Sequence, residues 1–191
     1  MDKLKIGLFD IFAYLLPGAI MLISIDSIKN SHNYFATYIF ECAKNYTLFQ
    51  VTILLSISYL IGFLTQYISY EVFKLLAPWI WKSRFIGKET SIGKLENQIV
   101  LIRHYSPENF NALNNWLVFR SMCYSLFVSN SLLFIVVLVR AIQTDRFSTQ
   151  WIDIFIIGSS AFLFLRRSVT FHEWIHGTIA NSTANMNDFK I

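Results

Sequence analysis

The sequence has little charge and few residues that interrupt a helix. Of its 191 residues, 15% are Asp, Glu, Lys or Arg, and there are 7 glycines and 3 prolines. A soluble domain usually carries about 25% charged residues, so this balance indicates a membrane protein. The scarcity of glycine and proline favours long helices joined by few loops.

Cysteine is also scarce and brings no recognisable chemistry. The two cysteines, Cys42 and Cys123, lie far apart in the sequence. Neither belongs to a spacing that is typical of a metal site or a redox pair. We therefore expect both to be small packing residues.

Long hydrophobic runs are abundant. Hydrophobic residues make up 54% of the chain, and the mean hydropathy is +0.46. Uncharged stretches cover residues 11–25, 45–70, 121–139 and 147–165, the last interrupted by Asp153. A membrane-spanning helix needs about 20 such residues. The sequence predicts an all-α integral membrane protein, a single domain over 1–191 with four spans near 9–25, 48–70, 121–142 and 150–165.

The distribution of Lys and Arg predicts the topology. Twelve of the 16 basic residues lie in segments that share a side of the membrane with the N-terminus, and four lie in the opposite segments: Lys29, Lys44, Arg140 and Arg146. The positive-inside rule then predicts that both termini are cytoplasmic. Residues 71–120 become a cytoplasmic loop, and residues 166–191 become a cytoplasmic tail.

The cytoplasmic loop has a helical pattern. The stretch "YEVFKLLA" should extend the second span until Pro78 ends the helix. The segment "KLENQIVLIRHY" predicts a short amphipathic helix. In "SPENF", Ser106 should cap a helix that begins at Pro107 and meets no breaker before about Ile142. A helix of roughly 54 Å would project about 20 Å beyond a hydrocarbon layer of about 30 Å.

The stretch "LRRSVTFHEWIHG" contains two catalytic signatures. His172, Glu173 and His176 form HExxH, in which two zinc ligands share a helix face and the glutamate can act as general base. A catalytic zinc also needs a third ligand, for which Asp188, His104 or Glu108 would have to come close.

The second signature in this stretch is RxxxxH, formed by Arg167 and His172. It is typical of helical ribonucleases, which need two copies facing each other to polarise a hydroxyl and stabilise the leaving group. The soluble part of this chain is too small for a complete nuclease domain of that type.

A structural interpretation accounts for the same residues. Arg166 and Arg167 would anchor the inner end of the fourth span. Charges at the ends of spans are usually paired, so we expect Asp10 to pair with Arg166 or Arg167, and Asp153 with Arg140. We therefore predict no catalytic residue, no metal and no cofactor. In the catalytic alternatives, the candidate catalytic residues are Arg167, His172, Glu173 and His176.

Uncharged polar residues are scattered through the spans. Ser56, Ser58, Thr65 and Ser69 in the second span do not share one helical face. We interpret them as interhelical hydrogen bonds and not as the lining of a channel. An oligomeric pore that permeabilises the membrane remains an alternative function, as does a membrane zinc protease that uses "HEWIH".

The stretch "FDIFAYLLPGAIML" places an acid at the entrance of a short first span that contains Leu-Pro-Gly. It resembles the start of small four-span membrane proteins of bacterial anti-phage defence, such as the membrane subunit of the Kiwa system and the multi-span accessory protein of type VI-B CRISPR loci. The size and layout of the whole chain are also similar. The resemblance implies a non-enzymatic homo-oligomer in the bacterial inner membrane that senses envelope disturbance.

The same resemblance implies that the inner face of the protein holds a cytosolic effector. The stretch "APWIWKSRF" should lie on the anionic inner leaflet, which predicts membrane lipid as a further partner and no direct contact with nucleic acid. The amphipathic segment and the projecting helix offer the surface for this effector, and the candidate residues are Arg103, His104, Glu108, Asn109, Asn115 and Trp116. Pro17 and Gly18 form a candidate hinge in the first span, because proline removes a backbone hydrogen bond.

Overall fold

The described residues form five α-helices. The computed structural model describes residues 2–29, 46–81, 92–145 and 147–188. Within these ranges there is no β-strand, which confirms the all-α prediction. The helices are α1 (Asp2–Lys29), α2 (Leu48–Ile80), α3 (Ile92–Tyr105), α4 (Pro107–Gln143) and α5 (Phe147–Asp188).

Four of these helices, α1, α2, α4 and α5, are long and apolar enough to cross a membrane. This confirms the predicted multi-pass architecture. Helix α4 has 37 residues and α5 has 42. At 1.5 Å per residue they are roughly 55 and 63 Å long, and the hydrocarbon layer is about 30 Å thick. Both helices therefore extend well beyond the membrane-spanning part of the bundle.

Helix α2 begins where its local sequence provides a cap. The Thr47 side chain accepts a hydrogen bond from the Gln50 backbone, and the Gln50 side chain accepts one from the Thr47 backbone. The prediction that Pro78 ends this helix is wrong by two residues, since α2 continues to Ile80. Pro78 lies inside the last turn, where its ring keeps a helical φ and its missing N–H removes one backbone hydrogen bond.

Helices α4 and α5 form an antiparallel hairpin. Helix α4 begins at Pro107, as predicted, but the Ser106 side chain makes no capping hydrogen bond. The helix ends one residue beyond the predicted Ile142. The turn that follows contains Asp145 with a φ of 55°, a left-handed conformation that aspartate adopts more readily than most residues. Near this turn, Leu133 and Val137 of α4 pack against α5. The second half of the hairpin therefore returns along the first.

Helix α1 packs against α4 and runs in the same direction. Ile20 and Ile23 of α1 pack against the cluster that contains Leu133 and Val137. Near the end of α1, the Arg140 guanidinium donates a hydrogen bond to the carbonyl of Ile28. The start of α1 and the end of α5 therefore lie at the same end of the bundle.

Helices α1 and α2 meet at a contact between backbones. A Cβ added at Gly18 would overlap the carbonyl oxygen of Ser58, and one added at Gly62 would overlap the carbonyl oxygen of Tyr14. Close approach at small residues is typical of helix pairs in membranes, where packing replaces the hydrophobic effect as the driving force. The ring of Tyr14 completes the contact, with its centroid 5.6 Å from that of Phe63.

The core continues beyond the apolar runs. At the boundary, α2, α4 and α5 contribute Phe73, Ala77, Tyr124, Leu165 and Val169. Further along, a separate cluster joins α3, α4 and α5 through Ile102, Leu113, Ile175 and Ile179. We call α3, residues 107–120 of α4 and residues 166–188 of α5 the projecting unit. It has a hydrophobic core of its own.

Most polar side chains in the spans bond within their own helix. Ser56, Ser58 and Thr65 each donate to the carbonyl four residues earlier, so the prediction of interhelical hydrogen bonds is wrong for them. A hydroxyl can be satisfied in this way in apolar surroundings without a partner on another helix. Hydrogen bonds between helices also form in the spans, such as that from the Ser160 hydroxyl to the Asn130 side-chain oxygen at 3.1 Å.

Replacing Gly62 with alanine tests the contact between α1 and α2. The added methyl group must push the two backbones apart, so Gly62→Ala should lower the free energy of unfolding by about 1–3 kcal/mol. The matched control is Gly177→Ala, because a Cβ at Gly177 meets nothing within 4 Å. Thermal unfolding in detergent, followed by circular dichroism, measures the difference. Equal melting temperatures for the two variants would contradict the contact.

Candidate functional site

The HEWIH sequence lies in the middle of α5, where that helix enters the projecting unit. His172 and His176 are one helical turn apart, and their ring centroids are 4.4 Å from each other. Both side chains are partly buried. Glu173 lies about 100° around the helix from His172. The two imidazoles therefore form one face of α5, as HExxH on a helix predicts.

A basic side chain from α4 meets this face. Nη1 of Arg120 lies 3.3 Å from Nδ1 of His172. Arginine has no acceptor, so the guanidinium donates, and the proton of a neutral His172 is then on Nε2. The Nε atom of Arg120 is enclosed and has no hydrogen-bond partner in the structure. Arg120, His172 and His176 are called the Arg120 cluster below.

Aromatic residues form a wall beside the Arg120 cluster. Phe73 of α2 meets the His172 ring edge-on, with 6.2 Å between centroids. Phe73 also stacks on Tyr124 at 5.8 Å, and Tyr70 lies 5.9 Å from Tyr124. Three long helices therefore enclose the guanidinium at the end of the apolar part of the bundle.

Sequence reasoning missed the role of Arg120, which it counted as one basic residue among those of the cytoplasmic side. Arg120 and His172 are 52 positions apart, and no local motif connects them. A signal was present in the sequence, because Arg120 directly precedes the uncharged run 121–139. A charge at such a boundary usually has a partner.

The described residues around the Arg120 cluster offer no third zinc ligand. Within the described part of the chain, no group of three or more His, Cys, Asp or Glu side chains is placed to hold a metal ion. Of the three proposed third ligands, His104 and Glu108 are exposed on the projecting unit, and the side chain of Asp188 lies outside the part that the structure describes. In addition, the Arg120 guanidinium repels a divalent cation at His172.

Arg167 faces away from the Arg120 cluster. Its guanidinium lies 4.7 Å from the ring centroid of Phe171 and 5.0 Å from that of Trp174. Residues five apart on a helix differ in direction by about 140°, so Arg167 and His172 occupy different faces of α5. The structure therefore does not bring the RxxxxH pair together.

Aromatic packing joins α4 and α5 on the Arg167 side. The Trp116 and Trp174 rings are 5.7 Å apart, and Phe119 stacks on Phe171 at 5.6 Å. Trp116 was predicted to bind a partner. The structure places it in this contact between helices, where it is partly buried.

The other predicted partner-binding residues are exposed on the projecting unit. Arg103 lies over the ring of Phe110, with 5.5 Å from its guanidinium carbon to the centroid. The Asn109 amide donates to the Ser182 hydroxyl at 3.2 Å, which joins α4 to α5. The exposed set is Arg103, His104, Glu108, Asn109 and Asn115.

The predicted ion pairs stay predictions. The side chain of Asp10 lies outside the part of the chain that the structure describes, so its pairing with Arg166 or Arg167 stays a prediction. Arg166 is exposed, and Asp153 is partly buried near the start of α5. Asp153 was predicted to pair with Arg140.

The structure shows the candidate hinge as a packed segment. Pro17 and Gly18 are both buried within the continuous helix α1, and Gly18 contacts α2. Cys123 is a buried free thiol, as expected of a packing residue, and Cys42 lies outside the described residues. Hinge motion at Pro17 stays a prediction.

Comparison with known proteins gives no identity. No family model, no curated protein and no solved structure matches the chain. The features that bear on function are therefore the four candidate membrane helices, the projecting unit and the Arg120 cluster.

Removing the Arg120 charge tests whether this cluster opposes a metal. Two unit charges 4 Å apart in water interact by about 1 kcal/mol, and zinc carries two, so Arg120→Gln should bind zinc at least about tenfold more tightly than the wild type. Titration of the detergent-purified protein against a chromophoric zinc chelator measures this. Adding His176→Gln should remove the gain. Stoichiometric zinc that the wild type retains against a chelator would contradict the expectation.

Proposed function

We propose that this chain is a non-enzymatic membrane anchor whose projecting unit recruits a cytosolic partner. The observation that carries the proposal is the separate core of that unit, built from Ile102, Leu113, Ile175 and Ile179. Helices that served only to cross a membrane would not need this core. A folded projecting unit at the membrane surface is suited to presenting a docking surface.

The connection between spans and platform supports a sensing role. Helices α4 and α5 pass from the apolar runs into the projecting unit without a break. A change in the tilt or packing of these spans therefore moves the projecting unit with them. Arg120 on α4 and Phe73 on α2 contact the same residue of α5, His172, so all three helices meet at the boundary.

The corner between α3 and α4 is the proposed docking surface. The Ser106 backbone N–H donates to the carbonyl of Ile102, which holds the last turn of α3 beside the first turn of α4. Arg103, His104 and Glu108 are exposed on either side of this corner. Closely spaced charges of both signs favour a protein partner with a complementary pattern, since they fix orientation and exclude wrong partners.

Sequence features favour a location and an orientation for this anchor. The resemblance of residues 9–18 to four-span defence proteins favours an anti-phage complex in a bacterial inner membrane. The excess of Lys and Arg on one side favours cytoplasmic termini. In the apolar stretch of α2, 11% of the residues are buried. The exposed apolar residues offer surface both to membrane lipid and to a second copy in a homo-oligomer.

Charge reversal at the corner tests the docking surface. Arg103→Glu combined with Glu108→Arg should reduce the co-purifying cytosolic protein at least about tenfold, because a like-charge contact costs several kcal/mol. The control is Asn181→Arg, an exposed position on α5 outside the corner. Affinity purification from the native host in mild detergent, with mass spectrometry of the intact assembly, measures the partner.

Two results would count against the anchor. One is a partner that the corner variant retains in full. The other is a pure homo-oligomer without any partner that conducts ions in liposomes, which would favour the oligomeric pore. Equal membrane levels and equal elution volumes for wild type, corner variant and control show that the variants are folded.

A further inference from the structure

Arg120 is a charged residue in an unusual position for a membrane protein. It directly precedes the uncharged run 121–139, and it lies where α2, α4 and α5 converge. The residue is partly buried, and its Nε atom is enclosed without a hydrogen-bond partner. A guanidinium in such surroundings is costly unless an anion or good acceptors compensate it.

The described neighbours of Arg120 supply no anion. The contact that the structure gives its Nη1 atom is the neutral acceptor Nδ1 of His172. On α2, Glu71 is directed to Lys74, with 3.9 Å between the charged atoms. Among the described residues, no carboxylate forms an ion pair with Arg120. The Arg120 cluster therefore presents hydrogen-bond donors and positive charge together.

We infer that Arg120, His172 and His176 form a binding site for a phosphate group. A guanidinium is the preferred side chain for phosphate because its planar N–H donors match two oxygens at once. His172 accepts from Arg120 at Nδ1, which places the proton of its neutral ring on Nε2. The His176 ring, 4.4 Å from that of His172, brings another imidazole to the same place.

The depth of the Arg120 cluster fits an anionic lipid. The end of an apolar run marks the boundary between hydrocarbon and headgroups, which is where the phosphate of a phospholipid lies. Basic pockets between membrane helices on the cytoplasmic side bind anionic headgroups. A soluble phosphate from the cytosol would present the same chemistry, so the source is decided by experiment.

Two kinds of membrane separate these sources. The full-length protein is placed in nanodiscs of phosphatidylcholine alone or of phosphatidylcholine and phosphatidylglycerol in equal amounts. Native mass spectrometry counts retained lipids, and thermal unfolding measures stabilisation. A third sample adds inorganic phosphate to the phosphatidylcholine nanodiscs. Selective retention of phosphatidylglycerol supports a lipid site, and stabilisation by inorganic phosphate alone supports the same site with a soluble ligand.

Three variants connect the binding to the Arg120 cluster. Arg120→Gln should weaken phosphate binding at least about tenfold, since it replaces charge-assisted hydrogen bonds with neutral ones. His176→Gln should weaken it as well, and this partly exposed position keeps the test valid if Arg120→Gln fails to fold. Arg166→Gln removes an exposed charge from the same helix and should change nothing.

Three outcomes would overturn the inference. The first is no selectivity for phosphatidylglycerol and no effect of inorganic phosphate in the wild type. The second is binding that both cluster variants retain. The third is a loss in Arg166→Gln as large as in Arg120→Gln, which would show a diffuse surface charge and not a site.

Discussion

The packing of α4 against α5 is the interaction on which the rest of the structure depends. It runs from Val137 near the turn, past Tyr124 and Leu165 at the boundary, to Leu113 and Ile175 in the projecting unit. Helix α1 packs on this hairpin at one end, and α3 packs on it at the other. One continuous pair of helices therefore connects the spans to the proposed docking surface.

Association within the spans relies on close packing more than on hydrogen bonds. Gly18 and Gly62 let two backbones touch, while the hydroxyls of Ser58 and Thr65 are satisfied inside α2. In lipid there is no hydrophobic force between helices, so a close fit between surfaces supplies much of the stability.

The boundary between spans and projecting unit concentrates the unusual chemistry. There the partly buried charge of Arg120 meets the imidazole of His172, and Arg167 packs on aromatic rings of the neighbouring face. The HExxH signature is present in sequence, yet its surroundings favour an anion. A phosphate held at this point would connect α4 and α5 to the membrane surface and would fix the projecting unit relative to it.

The sequence by itself determined the helices, because hydropathy, proline positions and capping residues act within a few positions of one another. The start of α4 at Pro107 and its length beyond the membrane were both predictable. The tertiary structure decided which side chains meet. The contacts of Arg120 with His172 and of Gly18 with α2 depend on how helices distant in sequence are rotated and spaced, and no local pattern encodes that geometry.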